Sequence, residues 1–165
     1  MREGKMNKEW ETEPDRVDFE HAGYPCMILR SPVTGALCGY VGVGKEHPLY
    51  EKDYSTFYDE GIKINVHGGL TYSDKCNGHI CHEPKPGQSD NIWWLGFDCA
   101  HACDVSPAML EVRTLARKTG FKSPLGLSDE QIDEMYEQME TYKNIAYVTE
   151  ECKNLAEQCK AKELK

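Results

Sequence analysis

The sequence has no long hydrophobic stretch. Its mean hydropathy is −0.65, and it contains no run of about 18 apolar residues of the kind that a membrane-spanning helix needs. Segment 1–15 carries charges throughout, so it has no apolar core of the kind that marks a secretory signal. These absences predict a soluble protein that stays in the cytoplasm and makes no use of a membrane.

Positive charge is also scarce. The chain of 165 residues has 19 lysines and arginines against 28 aspartates and glutamates, for a net charge of −9. A protein that binds nucleic acid through the phosphates needs a basic surface, so we do not expect direct nucleic-acid binding. Segment 128–165 is the most acidic part, with ten acidic and five basic side chains (net −5), which suits a solvated helical surface.

Standard catalytic motifs are missing as well. The sequence has no GxGxxG or Walker pattern, no GxSxG nucleophile elbow and no HExxH zinc motif. The glycines within 39–44 lack the spacing that a phosphate-binding loop requires. Functional residues are therefore expected in clusters of histidine, aspartate and cysteine rather than in a standard motif.

The order of patterned segments predicts the fold class. We interpret 1–23 as a poorly ordered acidic arm and 24–165 as a single globular domain. Strand patterns occupy 26–30, 37–43, 62–66 and 92–97, and the first two read as an antiparallel hairpin. Three helices follow, with helix-start signals at Ser106-Pro107 and Ser128 and a last helix that begins near Ile145. Strands first and helices last predict an α+β protein with a small antiparallel sheet packed against C-terminal helices.

The last helix is predicted to be structural. Its apolar residues recur at spacings of three and four, which places them on one face of a helix. They are Ile145, Val148, Cys152, Leu155 and Cys159.

The strongest candidate for chemistry follows the strand at 92–97. If the chain turns there, Asp98, His101 and Asp104 share one face; if it stays extended, Cys99, His101 and Cys103 do. We favour the turn, because a polar cluster belongs at a strand end. A histidine between carboxylates is suited to general acid–base catalysis, and the same residues can hold a divalent cation. The alternative is a surface turn with a capping aspartate.

His67-Gly68-Gly69 is a second polar break after a strand pattern. Two glycines can expose backbone amides to a ligand while the imidazole points into the same space. A hydrogen-bonded core histidine is the alternative. If strand 62–66 lies beside strand 92–97, His67 comes close to the turn, and His67 joins the predicted catalytic group with Gly68 and Gly69 as ligand-binding residues.

Aromatic side chains are candidates for ligand stacking. Trp93 and Trp94 point to opposite faces if 92–97 is a strand. One should lie in the core, and the other can stack on a planar ligand or cover a helix. We include both tryptophans and Tyr72 in the predicted ligand-binding set.

The eight cysteines are predicted to be free thiols, because no export signal is present and a cytosolic protein seldom contains disulfides. Cys76 and His79 have spacing that resembles metal ligands. A zinc site there requires further ligands from Cys99 or Cys103. The alternative is a polar loop with incidental thiols.

Two strings carry a resemblance to a known family. The strings His-Gly-Gly-Leu-Thr-Tyr at 67–72 and Trp-Trp-Leu-Gly-Phe-Asp-Cys-Ala-His at 93–101, with Gly39-Tyr40-Val41-Gly42-Val43, resemble a family of small uncharacterised proteins of tailed phages and prophages. The resemblance covers about 23–155. The chain departs from the family at Cys103, where a glycine is common. The resemblance implies a phage or prophage origin and a place in the cytoplasm of a bacterial host, but no mechanism.

Two functions remain as hypotheses. The first is an accessory protein that binds a small polar, nucleotide-like ligand in a cleft of histidine and aspartate, with hydrolysis and a divalent metal ion as further options. The second is an interaction protein that blocks or sequesters a host defence factor without turnover.

Overall fold

A computed structural model describes residues 8–163. Five strands and three helices follow one another in the chain, with short 3₁₀ helices at Glu9–Glu11 and Tyr54–Thr56. The strands are β1 Arg16–His21, β2 Tyr24–Arg30, β3 Leu37–Gly44, β4 Tyr72–Lys75 and β5 Ile92–Asp98. The helices are α1 Pro107–Lys118, α2 Asp129–Met139 and α3 Ile145–Glu163. The predicted α+β class, an antiparallel sheet with C-terminal helices, is confirmed.

The five strands form one antiparallel sheet in the order β1-β2-β3-β5-β4. The predicted hairpin is β2 and β3, in which Cys26 lies opposite Val41. Strand β5 then pairs with β3, so that Asp98 at its end lies beside Cys38 at the start of β3. The polar turn after β5 is therefore placed at one end of two central strands.

The prediction of a poorly ordered arm over 1–23 is wrong where the structure describes it. Within that segment, β1 pairs along its whole length with β2. Its side chains alternate between exposed and half-buried, and Val17 and Phe19 pack against the core. This short alternation was the signal for an edge strand. Residues 1–7 of the predicted arm lie outside the described residues.

The predicted strand at 62–66 is also wrong. The segment has no regular secondary structure and pairs with no strand of the described chain. Its carbonyl at Asn65 instead accepts hydrogen bonds from Asn154 (3.1 Å) and Gln158 (2.7 Å) of α3. Alternate residues still face the core, and Val66 is buried. The period-two pattern therefore marks a segment that lies along a helix.

Helix α3 covers one face of the sheet, as its spacing predicts. Val148, Cys152, Leu155 and Cys159 are fully buried in the main core with strands β2, β3 and β5. Gly39 makes this close approach possible, because a Cβ atom there would lie 2.6 Å from the Cys152 sulphur and 2.5 Å from the Phe97 ring.

The opposite face of the sheet is covered by the loop between β4 and β5. Trp94, Met27 and Tyr40 form a second buried cluster there, and the His82 ring lies edge-on to Trp94 at 5.6 Å. The guanidinium of Arg16 donates to two carbonyls of this loop, at 3.2 and 2.9 Å. These hydrogen bonds from the edge strand β1 hold the loop in place over Trp94.

The prediction that all cysteines are free is wrong for one pair. Cys76 and Cys81 form a disulfide within this loop, and the other six cysteines are free. The two residues lie only five positions apart, and the Asn77–Ile80 bridge closes a tight turn between them. The spacing of the two cysteines does not reveal the turn that brings them together.

Helices α1 and α2 form a hairpin that buries no residue of either helix. Arg113 donates two hydrogen bonds to Glu140 (2.7 and 2.8 Å) and lies over the Tyr136 ring. The predicted capping box of Ser128 and Gln131 is present at the start of α2. Between residues 8 and 163, no helix combines the length and apolar character that crossing a membrane requires.

Candidate functional site

The site begins where β5 ends. The Asp98 carboxylate accepts a hydrogen bond from the amide of Ala100 (3.0 Å), and the amide of Asp104 donates to the carbonyl of His101 (3.0 Å). The chain therefore turns, as predicted, and the polar side chains face one another. The extended alternative with a cysteine–histidine–cysteine face is wrong, because Cys99 is buried and Cys103 is exposed.

Asp104 is the centre of the cluster. Its side chain is only 2% exposed. Its Oδ2 atom accepts a hydrogen bond from the His101 amide (3.0 Å) and lies 2.8 Å from Nε2 of His67. Its Oδ1 atom lies 3.8 Å from Nζ of Lys143. A buried carboxylate with these neighbours is held in one orientation.

His67 is positioned by helix α3. Its backbone amide donates to Glu151 (2.8 Å), and its Nδ1 atom lies 2.9 Å from the hydroxyl of Tyr147. Burial, with the Glu151 carboxylate nearby, raises the pKa of Tyr147, so this hydroxyl keeps its proton at neutral pH. Both ring nitrogens of His67 are therefore engaged, Nδ1 with the tyrosine and Nε2 with Asp104.

His101 packs directly on Gly68. A Cβ atom at Gly68 would lie 2.2 Å from the imidazole, and the backbone φ of 65° there also favours glycine. The Nδ1 atom of His101 lies 3.7 Å from Asp98 and 3.7 Å from Asp104. This nitrogen is shielded from solvent and has no hydrogen-bond partner among the described residues. A buried polar atom without a partner is costly.

The structure thus brings the predicted His67, Asp98, His101 and Asp104 together. The ligand atoms of His67, His101 and Asp104 all lie within 4.8 Å of one another. Two imidazoles and a carboxylate can move a proton to and from a bound molecule, and they are also a common ligand set for zinc and related metals.

The three aromatic residues that were predicted to bind a ligand, Trp93, Trp94 and Tyr72, do not join the cluster. Trp94 is fully buried on the sheet face that the loop covers, and Tyr72 packs edge-on against Tyr40 on that same face. Trp93 lies on the α3 face, where its indole nitrogen donates to the carbonyl of Lys52 (3.0 Å). Both tryptophans lie in β5 before the turn, and their side chains pack in the clusters on the two faces of the sheet.

The predicted metal ligands Cys76 and His79 do not form a site. Cys76 is bonded to Cys81 and has no thiolate to offer. His79 is exposed in the same loop, which belongs to the opposite face of the sheet. Gly69 is close to His67 in sequence, but a Cβ atom there would contact nothing within 4 Å.

Three residues of the cluster were not foreseen from the sequence: Lys143, Tyr147 and Glu151. Tyr147 and Glu151 are four residues apart and therefore share one side of α3. Both residues lie next to the apolar stripe of α3 that includes Val148. This position in the sequence could have indicated that they lie at the edge of the core. Lys143 precedes the helix and also lies over the Tyr147 ring, 5.2 Å from its centre.

Comparison with known proteins adds no relative. No family model, no curated protein and no solved structure matches the chain.

Proposed function

We propose that the chain binds a small polar ligand at the His67–His101–Asp104 cluster and hydrolyses it. The observation that carries the proposal is the buried Asp104 carboxylate, which lies 2.8 Å from one imidazole and 3.7 Å from a nitrogen of another that has no partner in the described part of the chain. The sequence resemblance extends the proposal to a phage or prophage accessory protein that acts in the host cytoplasm.

The chemistry follows from the groups present. A water molecule held at the cluster gives up a proton to it as its oxygen bonds to the carbonyl carbon or phosphorus of the ligand. The bond to the leaving oxygen then breaks, and that oxygen takes up the proton. Histidine and carboxylate side chains are suited to both transfers. Lys143, beside Asp104, supplies positive charge for an anionic ligand such as a phosphate ester.

A ligand screen tests the proposal. Nucleotides, p-nitrophenyl phosphate and p-nitrophenyl acetate are added to the full chain, and both the melting temperature and product release are measured. We expect a raised melting temperature and turnover with at least one of them. His101→Ala and Asp98→Asn should remove both effects, because each removes a polar group of the cluster. Both variants should stay folded, because these partly exposed side chains contribute little apolar packing. His79→Ala, which changes an exposed histidine outside the cluster, is the matched control and should behave as wild type.

The result can contradict the proposal in two ways. If no compound binds, the cluster has no ligand of this class. If His101→Ala and Asp98→Asn unfold the chain, the cluster is a structural hydrogen-bond network.

A second function, the interaction protein, is favoured by one observation. The α1–α2 hairpin and its loop carry large apolar side chains that are each more than half exposed: Met109, Val112, Leu115, Phe121, Leu125 and Met139. Exposed apolar groups that lie together mark protein contact surfaces. A Val112→Asp, Leu115→Asp double variant should lose a host protein that co-purifies with the wild-type chain, and His101→Ala should keep it. Equal recovery with both variants would contradict this function.

A further inference from the structure

We propose that His67, His101 and Asp104 bind one divalent transition-metal ion, with zinc as the reference case. The inference deepens the proposed function, since such an ion would supply the activated water. Only the role of the ion in hydrolysis rests on the proposed function. Metal binding itself stands on the geometry of the three side chains.

The spacing of the ligand atoms fits a tetrahedral ion. Zinc bonds to nitrogen and oxygen are about 2.0–2.1 Å long, so the ligand atoms of a tetrahedral site lie about 3.3 Å apart. Oδ2 of Asp104 lies 2.8 Å from Nε2 of His67 and 3.7 Å from Nδ1 of His101. The two distances lie on either side of the ideal value, and the ligand atoms of all three residues lie within 4.8 Å of one another. Side-chain movements of about an ångström would therefore bring all three onto one ion.

The unpartnered nitrogen of His101 points to the same conclusion. Gly68 holds the imidazole in place from one side, and the two carboxylates of Asp98 and Asp104 lie too far from Nδ1 for a hydrogen bond, at 3.7 Å each. The nitrogen is shielded from water and is unpaired within residues 8–163. A metal ion between His101 and Asp104 would give this atom a bond, and without one the cost of burying it is uncompensated.

The surrounding contacts are those of a metal site. A histidine that binds metal through one ring nitrogen usually has a hydrogen-bond partner at the other, which fixes the tautomer and the ring orientation. In His67 the hydroxyl of Tyr147 occupies Nδ1 (2.9 Å), which leaves Nε2 facing Asp104. The amide of His101 likewise orients the Asp104 carboxylate.

The donor set selects the class of metal. Two imidazoles and one carboxylate suit zinc, iron, cobalt and nickel, whereas magnesium and calcium take oxygen ligands. Neither Cys99 nor Cys103 belongs to the group of ligand atoms that lie within 4.8 Å of one another, so thiolates are outside the proposed ligand set. Three protein ligands leave a fourth position for water, as in catalytic zinc sites. The side chains of Asp98 and His101, beside the ligand atoms, are each about one-third exposed.

Cobalt is the probe for the test, because a tetrahedral cobalt site absorbs visible light. The untagged full chain is treated with EDTA, freed of chelator without thiol reductant, and titrated with CoCl₂; ZnCl₂ is then added as a competitor. We expect one equivalent of cobalt with tetrahedral bands, no thiolate charge-transfer band, and displacement by zinc.

Variants assign the ligands. His67→Ala and His101→Ala should weaken cobalt binding by more than about 100-fold, since each removes a direct bond, while Tyr147→Phe should weaken it about 10-fold through lost orientation of His67. His79→Ala and Cys103→Ser lie outside the ligand set and should bind as wild type. Far-UV circular dichroism of each variant shows that the fold is retained.

The outcomes separate the two proposals. No cobalt bound by the folded wild type, or unchanged affinity in His101→Ala, would overturn the metal site. If the chelator-treated protein still turned over a ligand, the role of the metal ion in hydrolysis would be overturned, while the proposed function would stand. Tight metal binding with no response to any ligand would leave the metal site intact and remove the hydrolytic function.

Discussion

Nε2 of His67 lies 2.8 Å from the carboxylate of Asp104, although 37 positions separate the two residues. The contact joins the end of the segment 62–66, which lies along α3, to the turn after β5. Neither element places its side chain alone: α3 fixes His67 through Glu151 and Tyr147, and the turn fixes Asp104 through the His101 amide. The cluster is therefore sensitive to anything that separates the two loops.

Gly68→Ala should disrupt this contact. The new methyl group would overlap the His101 ring at 2.2 Å, and the residue would keep a positive φ. Gly69→Ala is the matched control, because its φ is also positive but its Cβ would meet nothing within 4 Å. In both variants the free energy of unfolding, measured with urea, should fall by about 1–2 kcal/mol, because alanine disfavours the left-handed backbone conformation. Only Gly68→Ala should also lose the cobalt spectrum, and equal cobalt binding by the two variants would contradict the packing role.

Gly39→Ala should weaken the contact between α3 and the sheet. Its Cβ would lie 2.5 Å from Phe97 and 2.6 Å from Cys152, both fully buried. Overpacking of this kind costs about 1–3 kcal/mol, measured by urea unfolding. Gly44→Ala, at the end of the same strand and with open space around its Cβ, should change stability by less than about 0.5 kcal/mol. A stable Gly39→Ala would show that α3 can move away from the sheet at little cost.

The cysteines should divide by reactivity. Burial raises the pKa of Cys26 and Cys159 to about 12 and that of Cys38 to about 11. Because the thiolate is the nucleophile, these thiols stay protonated and unreactive at pH 8. Iodoacetamide should therefore modify the exposed Cys103 first, as read by peptide mass spectrometry. Early labelling of Cys26 or Cys159 in the folded protein would contradict the buried positions.

The same experiment in denaturant without reductant checks the disulfide. Six cysteines should then react, and Cys76 and Cys81 should react only after a reductant is added. Labelling of all eight without reductant would mean that this pair is reduced in the purified protein.

Acid should loosen the loop that covers Trp94. Burial lowers the pKa of His82 from its ordinary value of 6.5. Above pH 6.5 the ring is neutral in both the folded and unfolded chain. As the pH falls below 6.5 the unfolded chain takes up a proton first, so stability is lost in that window. Urea unfolding from pH 7.5 to 5 measures the loss, and His82→Phe should show less of it. A His82 NMR titration midpoint above 6.5 would contradict the burial.

The sequence pattern predicted correctly the features that depend on residues close together in the chain, such as a helix face or a turn. The stripe on α3 follows from spacing alone, because 3.6 residues per turn brings Val148, Cys152 and Leu155 to one face. The turn after β5 was also predictable, because Asp98, His101 and Asp104 cannot remain in a sheet that is buried on both faces. The proximity of His67 to this turn was predicted correctly, but for a reason that was partly wrong.

The errors share a physical cause. Alternation over 62–66 shows which side chains face the core, but it does not show whether the neighbour is a strand or a helix. Here the neighbour is α3, which supplies side-chain amides where a strand would supply a backbone ladder. Trp94 was likewise assigned to a ligand because the sequence does not show that a loop, fastened by Arg16, covers the second face of the sheet.

The two outer strands bear on how the chain can associate. Exposed sheet edges invite strand addition by another molecule, and short or charged edge strands discourage it. One edge, β1, carries Arg16, Asp18 and Glu20 on its exposed positions, and the other, β4, is four residues long and includes Asp74 and Lys75. Both edges therefore resist edge-to-edge growth of the sheet into fibres.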